Sequence, residues 1–502
     1  MTECRRQPSL DLLILADLHF VESAQHECPI PRRRADLGPE LIRRAWERAV
    51  RQGAPDAVVL MGDLVDNGNA DRADQDLQRL RDELADTGVP ILVVPGNHDG
   101  DPRRLLRIFG DQGGAHELNG CQLLTFADHY GEDDRADRSR DGLALVQQTR
   151  REHPASPIIA FQHSPVHPPI DSSYPYNLAN RDDVMAAYAD AGVALSISGH
   201  YHDGQPLTHV DGVGYATCPA LCEAPFRFLR LTLRGGDIAL DEIALAVDPK
   251  LALVDHHAHT QFAYCADDIT AQSAIARARD FGLAGITFAE HAGQLYLSQH
   301  DYWQAAFLHD PGSLARERAA GRDRMQRYRG EIAPLRSDFV RVGLEVECDS
   351  EGQLTLLDED REGWDLLIGA VHYLPKLHGG AASAEVQRAF MQANERMCEH
   401  AIDVLAHPFR IFRRGERSTP TELYEPIAEL LSATGVAAEI NYHTNEPAPR
   451  FFELCLERGV RIVLGSDAHA LHEVGEFGPH LELVRQLGEP QDVLTCSGSD
   501  LN

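Results

Sequence analysis

The chain has 502 residues, of which 43 % are hydrophobic and 25 % are charged, and its formal net charge at pH 7 is −31. This length exceeds what one ordinary hydrophobic core supports, so we expect two or three domains. The acidic balance disfavours a long nucleic acid or a membrane surface as partner, and no apolar run approaches the ~20 residues of a membrane-spanning helix.

Cysteine and histidine usage narrows the class of protein further. The 10 cysteines are scattered, without a CxxC pair or the spacing of a disulfide framework. This usage is typical of free thiols in a reducing compartment, so we predict a cytoplasmic location. The motifs of the two halves account for 11 of the 25 histidines. Hard oxygen donors and imidazoles are typical of hydrolytic metal sites, which favours a metalloenzyme.

The first half alternates apolar strands with helix-compatible segments. The pattern predicts helices at 38–52 and 71–87, and an antiparallel hairpin from 226 to 247 around a turn at 234–237. Further strands are predicted at 10–16, 57–61, 90–94, 156–161 and 193–198. Each of these five strands ends at a polar motif, which is the usual layout of a site in an α/β protein.

The motifs of the first half supply one complete set of metal ligands. In chain order these candidates are Asp17, His19, Asp63, Asn97, His163, His200 and His202. Asp17 and His19 are two residues apart at a strand end, so both side chains can reach one ion. Asp63 follows a glycine at the next strand end, where it can bridge two cations.

The remaining ligands and one imidazole complete the predicted chemistry. Asn97, His163 and His200 are expected to bind the second ion, and His202 to return to the first. Two ions ~3.5–4 Å apart can activate water and hold a phosphoryl group. His98 is placed to protonate the leaving oxygen as a catalytic residue, with Asp66 or Asp99 as the residue that orients it.

These residues resemble the calcineurin-like metallophosphoesterases over roughly residues 10–245. The resemblance rests on the ordered pattern DxH, GDxxD, GNHD, H and GHxH. It implies a four-layer α/β fold, with a β-sandwich that carries a dinuclear site of Mn, Fe or Zn. The compact spacing is more similar to the cyclic-nucleotide phosphodiesterase branch than to the protein-phosphatase branch.

The second half repeats the order of a strand followed by a ligand. With a linker at 247–250, we predict one domain at 1–247 and another at 251–502. Strands are predicted at 251–254, 285–288, 339–346, 366–371, 402–405, 436–440 and 460–464. Such repetition predicts a (β/α) barrel with ligands on one rim. The insertion at 300–337 is helix-like and is a candidate lid, and its arginines at 316–329 are predicted to be a solvated helix face.

A second set of metal ligands follows these strands. Its members are His257, His259, His291, Glu345, His372, His407, Asp467 and His469. Glu345 is a natural bridging carboxylate, and the number of ligands is enough for two to three ions. Glu290 is expected to orient His291 rather than to bind metal.

This second set resembles the polymerase-and-histidinol-phosphatase (PHP) family over roughly residues 251–490. The segment Leu367-Ile-Gly-Ala-Val-His-Tyr-Leu is similar to the histidinol-phosphatase branch. The resemblance implies a distorted (β/α)7 barrel with a Mn, Fe or Zn centre. The family places a His or Asp soon after the first HxH, and here Asp267 and Asp268 are both candidates, with Asp268 slightly favoured. Arg410 is either a phosphate-binding residue or an exposed salt-bridging arginine.

The sequence therefore predicts a metal-dependent phosphoester hydrolase with two polynuclear centres. Phosphodiester or phosphomonoester hydrolysis is assigned to the first domain and histidinol-phosphatase-like monoester hydrolysis to the second. The alternative is one catalytic domain and one metal-binding regulatory or scaffold domain. The fusion also suggests that the first domain opens a diester and the second removes the resulting monoester. We expect a small phosphorylated substrate, and the sequence makes no prediction of the oligomeric state.

Overall fold

The structure is a computed structural model and describes residues 8–22, 30, 32–131, 133–374, 377 and 383–494. The chain divides into two compact units, Met1–Leu245 and Ala246–Asn502, which are described separately below.

The first unit is built on two main sheets. One has the strand order β13-β12-β1-β2-β3 and the other β10-β11-β9-β8-β5-β4, and β6 and β7 form a small ribbon. The strands are β1 (Ser9–Leu15), β2 (Ala57–Leu60), β3 (Ile91–Val93), β4 (Gly114–Leu118), β5 (Cys121–Thr125), β6 (His129–Tyr130), β7 (Ala136–Asp137), β8 (Ile158–Phe161), β9 (Leu195–Ser198), β10 (Gln205–Val210), β11 (Val213–Thr217), β12 (Arg227–Arg234) and β13 (Asp237–Ala244).

Helices cover the outer faces of both sheets. They are α1 (Gly38–Gln52), α2 (Ala73–Glu83), α3 (Pro102–Phe109), α4 (Arg140–Glu152) and α5 (Arg181–Ala191). On the first sheet, Arg230 of β12 donates a hydrogen bond to the carbonyl oxygen of Ala49 in α1. On the second sheet, Val146 of α4 and Val184 of α5 share a buried cluster with Ile158.

The two sheets pack face to face. Leu12 and Val59 of the first sheet lie in one buried cluster with Ile159 and Ile197 of the second. Alternate residues of a strand point to opposite faces, so each sheet can bury one face against its partner and the other under helices. The first unit therefore has the four-layer α/β architecture that the sequence predicts.

Most predicted elements of the first unit are confirmed within a few residues. The helix at 38–52 has the predicted bounds, and the hairpin pairs β12 with β13 through Arg234 and Asp237. Strands β4, β5, β6, β7, β10 and β11 are absent from the prediction. In β4 and β10 the exposed and half-buried residues alternate, so neither strand has the apolar run that marked the others.

The second unit contains one sheet of seven strands in sequential order, and every pair is parallel. These strands are β14 (Val254–Ala258), β15 (Gly285–His291), β16 (Val340–Val346), β17 (Leu367–Gly369), β18 (Val404–Leu405), β19 (Ala437–Ile440) and β20 (Ile462–Leu464). A parallel bridge between Ala258 and Ala468 joins the two ends of the sheet. The unit is therefore a nearly closed, seven-stranded (β/α) barrel, as the sequence predicts.

The helices of this unit cover the barrel or belong to the predicted insertion. They are α6 (Ala271–Asp280), α7 (Ala292–Tyr296), α8 (Gln299–Trp303), α9 (Ala306–His309), α10 (Ser313–Ala319), α11 (Met325–Ile332), α12 (Ser383–Cys398), α13 (Arg410–Arg414), α14 (Tyr424–Thr434), α15 (Pro449–Glu457), α16 (Gly478–Leu487) and α17 (Pro490–Val493). Among the helices of the described ranges, none is both long and apolar enough to cross a bilayer.

Two predictions for the second unit need correction. The strand predicted at 251–254 begins only at Val254, because Pro249–Leu251 forms a turn of 3-10 helix. The arginines at 316–329 are not all solvated. Arg318 and Arg329 reach the buried carboxylate of Asp360, so part of this set holds the insertion against the barrel.

Candidate metal centres

In the first unit, five strand ends bring the predicted ligands together. Asp17 and His19 follow β1, and their backbone N–H groups donate to the carbonyl oxygens of Gly62 and Asp63 after β2. The other strands concerned are β3, β8 and β9, which lead to Asn97 and His98, to His163, and to His200 and His202. Parallel strands end at one edge of a sheet, so residues distant in sequence meet there.

Asp63 lies at the middle of the first cluster. Its Oδ2 is 3.2 Å from Nε2 of His163, 3.7 Å from Nε2 of His19 and 4.0 Å from Nδ1 of His200. Asp17 Oδ1 lies 3.5 Å from Nε2 of His202. One carboxylate that faces imidazoles on both sides has the arrangement expected of a bridging ligand.

The cluster contains buried polar atoms that no protein group satisfies. Those without a hydrogen-bond partner include Asp17 Oδ1, His19 Nδ1, Asn97 Oδ1, His163 Nε2 and His200 Nε2. An unpaired buried polar atom costs about 1–3 kcal/mol, and several in one place call for a common partner. The groups Asp17, His19, His202 and Asp63, His163, His200 each present donor atoms within 4.8 Å of one another, so these residues fit metal ions.

The backbone is strained where these ligands lie. Asp17, His19, Asp63 and His200 have φ angles of 54°, 45°, 50° and 67°, in the left-handed region that non-glycine residues rarely occupy. At Gly96, a Cβ atom would approach Oδ1 of Asp63 to 2.2 Å. Such strain persists only where the surrounding structure enforces it, and it is concentrated at functional sites.

Outer contacts fix the orientation of three imidazoles. His163 Nδ1 donates to the carbonyl oxygen of Met61 at 2.6 Å, and His202 Nδ1 lies 2.6 Å from Glu223 Oε1. His98 Nδ1 donates to the carbonyl oxygen of Asp66 at 2.6 Å. Such partners set which ring nitrogen faces the ions. Sequence reasoning missed Glu223, which belongs to no motif.

Asp99, one of the two predicted partners of His98, has a structural position instead. It is fully buried and accepts hydrogen bonds from the backbone N–H groups of Asp63, Leu64 and Gly96. It therefore ties together the turns after β2 and β3, which carry Asp63 and Asn97.

The pKa values in the first cluster are displaced in opposite directions. Burial lowers the pKa of His163, but the carboxylates of Asp63 and Asp17 outweigh burial and raise it to about 10. Burial and the neighbouring His163 lower the pKa of His200 to about 3. Opposed shifts between adjacent groups indicate strongly interacting charges, which is typical of functional sites.

In the second unit, Glu345 on β16 lies at the centre of the predicted ligands. Its Oε2 is 2.6 Å from His291 Nδ1 and 3.7 Å from His257 Nε2. Its Oε1 is 2.9 Å from His407 Nε2 and 3.2 Å from His372 Nε2. Burial raises the pKa of Glu345, but the surrounding imidazoles outweigh burial and hold it well below the ordinary value.

Asp467 lies beside Glu345 in the same cluster. Its Oδ1 is 2.9 Å from His259 Nε2, 3.6 Å from His257 Nε2 and 3.7 Å from His469 Nδ1. His259, His291 and His469 form a further group whose donor atoms lie within 4.8 Å. His257 Nε2 is buried without a hydrogen-bond partner, so this donor set also fits metal ions.

Three buried glutamates orient imidazoles of the second cluster. Glu439 Oε1 lies 2.9 Å from His257 Nδ1, and Glu347 Oε1 lies 3.0 Å from His372 Nδ1. Glu290 is 3.2 Å from His259 Nδ1, so it orients that imidazole and not the ring of His291. Sequence reasoning missed Glu439 and Glu347, although a Glu within the apolar strand β19 was a usable signal.

Asp267 and Asp268 lie beside this cluster, and the backbone N–H of Asp267 donates to the carbonyl oxygen of His469. Both residues are exposed, and Asp268 Oδ1 accepts from the backbone N–H of Leu471. Cys265, two residues earlier, has its Sγ 3.7 Å from His291 Nε2. Metal binding by either aspartate stays a prediction.

Arg410 lies inside the second cluster and is not an exposed salt-bridging residue. It is 3 % exposed, and its NH1 donates to Asp467 Oδ2. Its NH2 lies 2.9 Å from His372 Nε2 and 2.7 Å from His407 Nε2. A guanidinium among metal ligands is well placed to bind a phosphoryl oxygen.

Each cluster opens into a cavity. In the first unit, a cavity of about 420 Å³ has His19, Asp63, His98, His200 and His202 in its wall. In the second, a cavity of about 380 Å³ has His291, His372, His469 and Arg410 in its wall. Volumes of this size accommodate a small organic ligand, so both clusters are accessible to a substrate.

Comparison with known families agrees with this architecture. Residues 10–204 match the family model described as calcineurin-like phosphoesterase, and residues 255–443 match the PHP domain. Both families are metal-dependent. The chain therefore joins a calcineurin-like metallophosphoesterase domain to a PHP domain, and it is a phosphoric ester hydrolase.

Three curated relatives illustrate the range of similar proteins. A "Probable phosphatase" of Syntrophotalea carbinolica is 25 % identical over 245 residues, which cover 47 % of this chain and 88 % of the relative. A "Probable cyclic nucleotide phosphodiesterase" of Synechococcus is 26 % identical and covers 42 % of this chain and 80 % of its own length. A "Probable histidinol-phosphatase" of Deinococcus radiodurans is 26 % identical, and the match covers 47 % of this chain and 94 % of the relative.

Proposed function

We propose that this chain contains two separate phosphoester-hydrolysing centres. The first unit hydrolyses phosphodiesters or phosphomonoesters, and the second hydrolyses phosphomonoesters in the manner of a histidinol phosphatase. One observation carries the proposal: in each unit, buried carboxylates and imidazoles with unsatisfied atoms converge at strand ends beside a cavity.

The donor sets allow two ions in the first unit and two to three in the second. The first set is Asp17, His19, Asp63, Asn97, His163, His200 and His202, and the second is His257, His259, His291, Glu345, His372, His407, Asp467 and His469. Imidazoles mixed with carboxylates suit Mn, Fe or Zn. Such ions, when bound, act as Lewis acids toward the phosphoryl group.

The protein groups supply proton transfer and positioning. In the first centre, His98 keeps its Nδ1 on the carbonyl oxygen of Asp66, so Nε2 is the atom that delivers a proton to the departing alkoxide. In the second, Arg410 binds a phosphoryl oxygen through its fork of N–H groups. The names of two relatives, "Probable cyclic nucleotide phosphodiesterase" and "Probable histidinol-phosphatase", support this division.

The test compares single substitutions in the full chain. Asp63→Asn and Asp467→Asn each remove one central carboxylate, and Asp182→Asn and Asp358→Asn change exposed carboxylates of the same units. After reconstitution with Mn, Fe or Zn, hydrolysis of bis-p-nitrophenyl and p-nitrophenyl phosphate is measured. We expect Asp63→Asn to abolish diester cleavage, Asp467→Asn to abolish the monoester cleavage that Asp63→Asn retains, and both controls to retain both activities.

The alternative assignment gives a different result. If one central substitution abolishes all hydrolysis and the other changes nothing, only one unit is catalytic. The silent unit would then be a metal-binding regulatory or scaffold domain.

A further inference from the structure

Aromatic side chains line the cavity of the first centre. Tyr174, Tyr176 and Tyr201, here called the tyrosine cluster, form part of its wall. The ring centroids of Tyr174 and Tyr176 are 4.8 Å apart, and those of Tyr176 and Tyr201 are 5.3 Å apart. Tyr176 also lies 5.3 Å from the ring of the predicted ligand His200. Aromatic rings packed edge to face therefore adjoin the ligands of the first centre.

The cavity of the second centre has a similar lining. Tyr302, Trp303, Phe307 and Tyr373, here called the aromatic wall, face the same space as the predicted ligands. The wall comes from the insertion that follows β15 and from the residue after His372. Two barrel elements of unrelated sequence thus bring aromatic rings to one cavity.

Trp303 is the most unusual member of the aromatic wall. It is 54 % exposed, whereas the other members are buried or half-buried. Exposure of an indole forgoes the stabilisation that burial of its large apolar surface gives, and this indole lines the cavity. Because Trp303 faces the cavity of the metal-ligand cluster, a substrate is the simplest occupant.

The position of Trp303 is linked to the ligand shell. The neighbouring Tyr302 is buried and donates from its hydroxyl to Glu347 Oε1 at 3.1 Å. The same Glu347 oxygen lies 3.0 Å from Nδ1 of the predicted ligand His372. The rings of Tyr302 and Trp303 are 5.2 Å apart at 63°. The indole is thereby held at a defined place beside the second centre.

Both cavities also contain arginines. Arg32 and Arg33 line the first, and Arg410 and Arg414 line the second. Each cavity therefore combines a cationic group that can bind the phosphate with aromatic rings that can contact the organic group. Aromatic faces discriminate by geometry, because stacked or edge-to-face rings gain about 0.5–1.5 kcal/mol beyond burial of their area.

We propose that both centres select phosphoesters whose organic group carries a planar aromatic ring, so that the monoester made at the first centre is a substrate of the second. The inference rests on the proposed hydrolytic function. At the first centre, water adds to phosphorus, one P–O ester bond breaks, and the leaving oxygen takes a proton. At the second, water adds again and the remaining ester bond breaks, which releases the aromatic alcohol and inorganic phosphate.

The test uses pairs of substrates that differ in the planarity of the ring. They are 2-phenylethyl and 2-cyclohexylethyl phosphate for the second centre, and the two corresponding symmetric diesters for the first. The reacting ester bonds are alike within a pair, and the cyclohexyl group has the larger apolar surface. Simple hydrophobic burial would therefore favour cyclohexyl, whereas ring stacking favours phenyl.

We expect the unmodified full chain to prefer the phenyl member of each pair by roughly three- to tenfold in kcat/KM. Trp303→Ala should remove the preference for monoesters only, and Tyr176→Ala the preference for diesters only. Trp303→Phe and Tyr176→Phe should retain it. Gln304→Ala changes the exposed neighbour of Trp303, which lines neither cavity, and should behave as the unmodified chain.

Equal or reversed preference at either centre, with hydrolysis intact, would overturn the shared substrate class and leave the hydrolytic function standing. If no ester is hydrolysed, the hydrolytic function fails instead. The selectivity is then decided by calorimetric titration with 2-phenylethylphosphonate and 2-cyclohexylethylphosphonate, which cannot be hydrolysed as esters. Tighter binding of the phenyl compound that is lost in the alanine variants supports the proposal, and equal binding overturns it.

Discussion

His98 and Asp66 are joined through the backbone of Asp66. His98 Nδ1 lies 2.6 Å from the carbonyl oxygen of Asp66, and a carbonyl oxygen can only accept, so Nδ1 carries the hydrogen. The Asp66 carboxylate lies 3.6 Å from His19 Nδ1 and 3.8 Å from an Arg33 nitrogen. The backbone of Asp66 therefore holds Nδ1 of His98.

The first prediction concerns the leaving group at the first centre. His98→Gln removes the proton donor, so we expect kcat for dialkyl phosphates to fall by about 10²–10⁴. Cleavage of bis-p-nitrophenyl phosphate should fall far less, because nitrophenolate leaves without protonation. The measurement is a plot of log kcat against the pKa of the leaving alcohol. The slope of this plot should be steeper for the variant than for the unmodified chain.

Asp66→Asn is the matched control for that experiment, since it retains the carbonyl oxygen that holds His98. For this variant, the slope of log kcat against the pKa of the leaving alcohol should equal that of the unmodified chain. A steeper slope in Asp66→Asn would show that the carboxylate takes part in proton delivery.

Arg410 is expected to bind substrate rather than to hold the second cluster together. Arg410→Lys keeps the positive charge but loses the fork of donors, and hydrogen bonds to charged groups contribute about 1.5–3 kcal/mol. We expect KM for phosphomonoesters to rise by roughly ten- to a hundredfold, with unchanged metal content. Arg413→Lys, at an exposed position in the same short helix, should leave KM unchanged. Loss of metal from Arg410→Lys would assign Arg410 a structural role instead.

Close packing at Gly465 predicts a selective loss of the second centre. A Cβ at this position would lie 1.8 Å from Glu439 Oε1 and 2.7 Å from His257 Cβ. Gly465→Ala should therefore destabilise the second unit by about 1–3 kcal/mol and reduce monoester hydrolysis, with diester hydrolysis retained. Calorimetric unfolding of the full chain gives the first quantity and the two assays give the second.

Gly330 supplies the opposite case in the same unit. It lies in α11, where an added Cβ would meet nothing within 4 Å. Gly330→Ala should stabilise the second unit by about 0.5–1 kcal/mol, because it lowers the entropy of the unfolded chain. Equal effects of the two substitutions would refute the steric explanation for Gly465.

Metal removal should lower the stability of each unit. A ligand that binds only the folded state stabilises it by about 2.7 kcal/mol at a hundred times its Kd, which corresponds to a Tm change of roughly 5–10 °C for domains of this size. We expect chelation to lower Tm and added Mn²⁺ to restore it. Asp63→Asn and Asp467→Asn should each remove the response of one unit. If Tm changes neither with added metal nor with these substitutions, the assignment of the donor sets is wrong.

Much of the fold was predictable because the buried strands have continuous apolar runs. Strands such as β2 and β9 are entirely buried, so local composition alone marks them. Strands β4 and β10 were not predicted because they lie at sheet edges and few of their side chains are buried. Their pairing with β5 and β11 is a tertiary event that no local pattern encodes.

The outer parts of the sites were less predictable than the ligand motifs. Glu223, Glu347 and Glu439 carry no motif, and their pairing with imidazoles depends on which strand ends are neighbours. For Glu290 the sequence neighbour His291 suggested the wrong ring, because adjacent residues in a strand point in opposite directions. The structure instead directs Glu290 toward His259.

The sequence alone determined the two-domain order, the two metal-ligand motifs and the hydrolytic class, because ligand type and spacing are local properties of the chain. Only the tertiary structure decided that the backbone of Asp66 holds His98, that Arg410 is buried among the ligands, and that Trp303 faces the cavity of the second centre. Each of these facts joins segments that are distant in sequence or fixes the direction of one side chain. Such relationships follow from packing, which no spacing within the chain specifies.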